Sequence, residues 1–412
     1  MSQHKLMKQC KVADASVRLR LVFAHDGTST YDRLFLRQFV SRFETYIVTF
    51  VSPTQVPVGV HTVLLQDFGT QLRIQKLNGL RIAIGTLWRI FQFRRCLEEI
   101  RPDIVVGNWV TKYGLYASFS KCKPFVLFVY GSDVLIEPYR SFLHRWLATR
   151  VIRSADLILV DSEVQKKAVL SLGASARKIE SFPWIDLSEL RNLSPDSALR
   201  DALGWHDKIV VVSVRWHEDY YAIDTLIRSI PMVVAKAPDV RFLLFGKGTH
   251  TVRLMELAHQ LKVERFVHFA GVVTRNQLLR YVKSCDIYVS TALSDGSSSS
   301  LLEAMFIGVP VVVTLIPGNA EWVFQGINGQ MFGKRDSDGL GRAVVYLAAN
   351  RDEARLMGQR GRQTIQERVN WKISSDKLFK RMCEIFAKTK GQPEMGNLVD
   401  LPLRSEVRIC SS

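Results

Sequence analysis

Short apolar runs alternate with amphipathic stretches along most of the chain, a pattern that predicts strands and helices in turn and therefore parallel sheets covered by helices. Val17 to Ala24 reads as a first strand ending in the loop His25-Asp26-Gly27-Thr28-Ser29-Thr30. A helix follows through Asp32 to Arg42, with Leu34, Phe35, Phe39 and Val40 on its apolar side. Further strands are predicted at Glu44 to Val51, at Pro102 to Val106, at Phe125 to Tyr130 and at Asp156 to Val160. The alternation then lapses from Pro183 to about Trp205. It resumes with Lys208 to Ser213, Val240 to Phe245, Val267 to Ala270, Ile287 to Ser290 and Val309 to Leu315.

Two serial βα arrays separated by an irregular stretch imply two Rossmann-like α/β domains, and 412 residues exceed what a single core usually holds. The expected division is an N-terminal domain over 1–190, a linker over 191–206 and a second domain over 207–370. Asp352 to Lys388 is helical in pattern, and from Gly391 the periodicity is lost, which predicts a disordered tail over 391–412. Ligands of such sheets bind beyond the carboxyl ends of the strands.

The chemistry is concentrated between Ser290 and Gly329. There a strand leads through the loop Asp295-Gly296-Ser297-Ser298-Ser299-Ser300 straight into an apolar helix carrying Glu303. The free N–H groups at such a helix start bind phosphate. Flanking carboxylates suit the hydroxyls of ribose and of a sugar, so the segment fits a nucleotide-sugar. Glycine and serine also make flexible linkers, although not normally between a buried strand and an apolar helix.

This stretch, with Leu301-Leu302-Glu303-Ala304-Met305 and Gly308-Val309-Pro310-Val311-Val312, resembles the retaining glycosyltransferases of family 4. Their signature is an acid, seven residues, then Glu; Asp295 stands where Glu is more frequent. The resemblance implies the GT-B architecture, two Rossmann-like domains facing across a cleft, with helix 371–390 crossing back to the N-terminal domain. It also implies donor binding by Arg215, Lys247, Gly296, Ser298, Ser299, Ser300, Leu301 and Glu303. Arg215, Asp295 and Glu303 are the candidates for catalysis. A Lys usual about five residues after the Arg is absent here, and Lys247 in Gly246-Lys247-Gly248 is a substitute. Gly27, Thr28, Tyr130 and Asp133 are the acceptor-side candidates, although Tyr130 and Asn108-Trp109 stand where the family often has histidine. Gly318, Asn319 and Glu321 match a small-residue loop that sets the next helix start.

Each position also has a plainer role: a salt bridge for Arg215, an exposed turn for Lys247, an N-cap for Asp295 and a turn cap for Asp133. His217 and His268 are isolated and read as structural, and Asp336-Ser337-Asp338 as a helix cap. No metal site is expected and no cofactor, because Arg215 and helix amides would stabilise the diphosphate.

The net charge of +17 calls for an anionic partner or surface. Positions 1–200 hold 28 basic and 17 acidic residues, against 28 and 22 in the rest. Arg89, Arg94 and Arg95 lie among Trp88, Phe91 and Phe93, and Arg140, Arg145, Arg150 and Arg153 surround Trp146. Basic helices with aromatics suit anionic membranes; a core helix with a solvated basic face is the plainer account. Dispersed charge without a recognisable module argues against nucleic acid. Six scattered cysteines predict free thiols in a reducing compartment. Residues 1–17 lack a secretory apolar core, and no run is long enough to span a bilayer. The expectation is a cytoplasmic enzyme, peripheral at the inner membrane face where it meets lipid. It would move a sugar from a nucleoside diphosphate to a glycan or lipid-linked acceptor with retention, in cell-surface polysaccharide or glycolipid synthesis. An epimerase or hydrolase of the same fold, and a non-catalytic binding protein, remain open.

Overall fold

The computed structural model describes residues 18–27, 30–53, 56–66 and 78–391. Thr28 and all of the expected tail beyond Gly391 lie outside the described residues. The first sheet has seven strands: β1 (Arg20–Ala24), β2 (Glu44–Thr49), β3 (Val60–Leu64), β4 (Ile104–Asn108), β5 (Phe125–Phe128), β6 (Leu157–Val160) and β7 (Ile179–Ser181). Their order is β3-β2-β1-β4-β5-β6-β7, with β1 parallel to both β2 and β4. The central strands are buried at every position, as expected of parallel strands covered on both faces, and are almost wholly apolar.

The second sheet has six strands: β8 (Ile209–Ser213), β9 (Val240–Phe245), β10 (Val267–Gly271), β11 (Ile287–Ser290), β12 (Val311–Thr314) and β13 (Gln330–Phe332). It is wholly parallel, in the order β10-β9-β8-β11-β12-β13. Strand order reverses next to β8, which places the loops after β8 and β11 at the switch point. Alternate residues of each strand feed two cores. On one face Val210, Val212, Leu243 and Tyr288 meet helix Ser299–Ile307; on the other Val211, Phe242 and Val289 meet helix Ile223–Lys236.

The chain divides into two compact units, residues 1–107 with 116–126 and 383–412, and residues 108–115 with 127–382. The last strand of the first sheet ends at Ser181 and the first of the second begins at Ile209; the compact units divide the chain elsewhere. The stretch read as a linker holds helix Ala198–Leu203, and Leu193, Leu199, Leu203 and Trp205 pack on the second core. In helix Trp371–Lys390, Lys377 and Arg381 pair with Glu180 of β7 at 2.7 and 3.1 Å. No helix among the described residues is long and apolar enough to cross a membrane.

Candidate donor site in the second sheet

Arg215 emerges two residues beyond β8, where the backbone has left the sheet but the side chain is still enclosed. It is 8% exposed. Its Nη1 donates to Ser298 Oγ at 2.8 Å and to Ser300 Oγ at 3.0 Å, and its Nη2 pairs with Asp295. The guanidinium lies 4.4 Å from the ring centre of Tyr221. Burial opposes its charge, but Asp295, Tyr221 and Tyr288 more than offset that and raise its pKa. Tyr288, buried in β11, shares a 2.8 Å hydrogen bond with Ser300. One cation thus ties together three of the expected donor-loop residues.

The helix Ser299–Ile307 starts at Ser298, whose side chain makes no capping bond. Its first-turn amides carry the positive end of the helix. The loop amides before it are already used. Gly296 N–H bonds to Asp295 Oδ1 and Ser297 N–H to Asp161 Oδ1, both at 3.1 Å. Ser297 Oγ donates to Asp161 O at 2.6 Å and accepts from Trp322 Nε1 at 3.0 Å. With the Gly296 and Ser297 amides occupied, the candidate anion corner is the helix start at Ser299 to Leu301 beside Arg215.

Glu303 lies about one turn into that helix, is 6% exposed, and faces a partner that the sequence did not reveal. Arg275 Nη1, at the first position of helix Arg275–Lys283, approaches Oε1 to 2.5 Å as an ion pair without hydrogen-bond geometry. Burial pushes the Glu303 carboxyl up, and Arg275 pulls it back toward the ionised form.

Lys247 is exposed, on a loop whose flanking glycines lie against the backbone of Arg215 and His217. Gly318 sits directly on the carbonyls of Asp295 and Gly296, where a side chain would collide with both. Asn319 is buried and donates to Thr314 O at 2.8 Å, holding that loop. Glu321 caps helix Glu163–Ser171 by accepting from the amides of Glu163 at 3.0 Å and Val164 at 2.9 Å. Asp161, at the carboxyl end of β6, was also missed; burial is the main cause of its carboxyl rising to about 8.

Among the acceptor-side residues, Asp133 is fully buried and accepts from the amides of Val110, Tyr130 and Gly131 at 2.8–3.0 Å. Its Oδ1 fixes the turn after β5 through Tyr130 and Gly131, and its Oδ2 ties that turn to Val110 in the segment after β4. Burial pushes the carboxyl up to about 7 against the pull of those amides. Tyr130 donates to Asn108 at 3.0 Å and stacks on Trp109 at 5.8 Å. Trp109 has a φ of 64° and opens the π-helical turn Trp109–Tyr113, a strained feature of the kind found near functional sites. Gly27 is buried within the first βα loop. His217 bonds to Thr251 at 3.0 Å and His268 packs edge-on against Trp205. Asp336 caps its helix through Gly339 N–H at 2.7 Å. Among the described residues there is no cluster of metal-ligating side chains.

Residues 196–364 match the family model described as glycosyl transferases group 1, and residues 29–162 the model described as glycosyl transferase 4-like. The chain belongs to the group 1, family 4 glycosyltransferases. It is 26% identical over 239 residues to a GDP-mannose-dependent alpha-(1-6)-phosphatidylinositol monomannoside mannosyltransferase of Mycolicibacterium smegmatis, covering 56% of this chain and 62% of that protein. An uncharacterised glycosyltransferase of Methanocaldococcus jannaschii is 22% identical over 247 residues, 58% of this chain and 62% of that one. The match thus spans just under two thirds of the length of these relatives.

Among solved structures, sucrose-phosphate synthase of Thermosynechococcus elongatus superposes with a TM-score of 0.75 at 16% identity, over 90% of this chain and all of that one. HepE of Anabaena, solved in complex with UDP-glucose, gives 0.72 at 18% identity, over 89% of this chain and all of that one. The chain therefore has the GT-B fold.

Proposed function

We propose that this glycosyltransferase transfers a sugar from a nucleoside diphosphate to an acceptor hydroxyl with retention of configuration. The observation that carries the reading is Arg215, held by Ser298 and Ser300 at the start of an uncapped helix with Glu303 one turn inside it. A diphosphate replacing Asp295 on Arg215 would meet a charged guanidinium and the first-turn amides together, in a water-poor site where such donors act strongly. Glu303 would accept the ribose hydroxyls, and Asp295, released from Arg215, would face the sugar as positive charge develops on it. Arg215 supplies the countercharge for the leaving diphosphate, so no metal or cofactor is invoked.

The acceptor is proposed to be a glycan or a lipid-linked glycan, for cell-surface polysaccharide or glycolipid synthesis. Support comes from the mannosyltransferase relative, which is named for a phosphatidylinositol monomannoside. Support also comes from helix Phe142–Ser154, where Phe142, Leu143 and Trp146 are exposed beside Arg140 and Arg145. Such a tip suits an anionic membrane surface, and free thiols at Cys96, Cys122, Cys285 and Cys383 fit the cytoplasmic side. Flotation with phosphatidylglycerol vesicles, absent with phosphatidylcholine, is the expected result.

One observation favours a second reading, a non-catalytic binding protein: Asp295 occupies Arg215, and the usual Lys and His are missing. Release of nucleotide from a panel of UDP- and GDP-sugars, with and without membrane extract, separates the two. Turnover that needs extract, survives EDTA and is lost in Arg215→Met supports transfer. Donor binding without turnover under any condition supports the second reading.

A further inference from the structure

Gln165 is fully buried in helix Glu163–Ser171, and its side-chain nitrogen has no hydrogen-bond partner. The orientation of its carboxamide is not arbitrary. The backbone N–H of Asp161 lies 2.9 Å from Oε1, and since that N–H can only donate, the oxygen must face it. Nε2 therefore points the other way, toward Gly131 and Gly296. Gly131, at a φ of 118° that only glycine adopts easily, follows β5, while Gly296 belongs to the donor loop after β11. A methyl group on Gly296 would collide with both Gln165 Nε2 and Asp161 Oδ1, and one on Gly131 would lie 3.5 Å from Nε2.

All these groups come from the carboxyl ends of strands, where ligands of parallel sheets bind. A buried amide with two unused N–H donors is costly, and such orphans call for an explanation. A ligand oxygen reaching Nε2 beside the two glycines supplies one. The charge of the surroundings narrows its nature. Asp161 and Asp295 interact repulsively here, which disfavours a phosphate oxygen and favours a neutral hydroxyl. A carboxamide donor beside a carboxyl oxygen is also a pairing that reads a hydroxyl, donating to its oxygen and accepting its proton.

We infer that Gln165, with Asp161 beside it, recognises a hydroxyl of the transferred sugar and so sets which donor sugar is accepted. The inference rests on the serine loop being a nucleotide-sugar site, as proposed above. It assigns the sugar, rather than the nucleotide, to this corner.

The test compares affinities of UDP, GDP, TDP and ADP with those of their hexose conjugates by calorimetry, in wild type and Gln165→Met. The expected result is that Kd for the preferred sugar nucleotide rises about tenfold relative to Kd for the matching diphosphate. The diphosphate affinity itself stays within about twofold. If the ratio of the two constants is unchanged, or both affinities fall equally, the inference is wrong and the amide serves only the loop. If wild type binds none of these nucleotides, the donor reading itself fails and takes the inference with it, a result distinct from an unchanged ratio. Should Gln165→Met not fold, Gln165→Glu keeps an acceptor for Asp161 N–H while removing the N–H donors. It must show the same or a larger change in the ratio.

Discussion

Replacing Arg275 by Met tests the least anticipated contact in the site. Arg275 Nη1 is 2.5 Å from Glu303 Oε1; the carboxylate side chain is 8% exposed and the guanidinium 31%. At about 4 Å and an effective dielectric near 20, unit charges attract by roughly 4 kcal/mol, and desolvation of both ions removes much of that. Removing one member of a buried pair costs about 3–5 kcal/mol because the other charge is stranded. Water reaches the exposed part of Arg275, so the expected loss is about 1–3 kcal/mol of stability, read as a lower urea midpoint at neutral pH.

The functional consequence has a definite sign. Burial already raises the Glu303 carboxyl, and Arg275 is what lowers it. Without Arg275 the pKa rises further, and a larger fraction is protonated near neutrality. A protonated carboxyl accepts fewer hydroxyl hydrogen bonds than a carboxylate. Nucleotide affinity in Arg275→Met should therefore fall below wild type by about tenfold at pH 6 and recover as pH rises, whereas Arg275→Lys should keep most of the wild-type profile. Calorimetry between pH 5.5 and 8.5 measures this. A folded Arg275→Met protein with the wild-type affinity and the wild-type pH profile would refute both the coupling and the assignment of ribose to Glu303.

Two further outcomes follow from the same corner. Asp295→Asn removes the anion that sits on Arg215; binding of a nucleoside diphosphate should tighten, by about tenfold, while sugar transfer falls. Weaker diphosphate binding in a folded variant would show that Asp295 is not a competitor for Arg215. Asp161 and Asp133, raised to about 8 and about 7 chiefly by burial, make the native state bind more protons than the unfolded chain. Stability should then decline as pH rises from about 4 to about 8, by up to roughly 1.4 kcal/mol per pH unit for each group. Asp161→Asn should flatten the upper part of that decline in urea titrations, and a parallel slope would sink the attribution.

What could be read from the sequence divides along a physical line. The central strands Ile104–Asn108, Leu157–Val160 and Ile209–Ser213 are built on apolar runs (IVV, LILV and IVVV) because both faces are covered, and such runs stand out. The edge strands do not. Val60–Leu64, VHTVL, is exposed or only partly buried along its length, and Ile179–Ser181 and Gln330–Phe332 span three residues each. Helix Ala198–Leu203 was hidden in a stretch with few turns of periodicity, although its leucines pack on the second core.

The donor site follows the same rule. Asp295, Ser298, Ser300 and Glu303 lie within nine residues of one strand–loop–helix junction, so their proximity is written in local order. Arg275 and Asp161 meet that junction only through the fold, Asp161 from 136 residues away. No periodicity or spacing announces such pairs. The one signal for Asp161 was its place just after the buried strand Leu157–Val160.

These distant partners change how the site must work. Arg215 is neutralised by Asp295, Glu303 by Arg275, and the Ser297 amide by Asp161. A preformed, open cradle would gain the full strength of every contact with a diphosphate. A diphosphate has to replace Asp295 on Arg215, so its measured affinity is the difference between two sets of charge-assisted bonds. That difference is small for a bare diphosphate, which displaces Asp295 and leaves it stranded. It is larger for a nucleotide carrying a sugar, because hydroxyls give the released carboxylate new donors. Part of the discrimination between donor and spent nucleotide thus follows from the Asp295–Arg215 pair, and Asp295→Asn should narrow it even where binding becomes tighter.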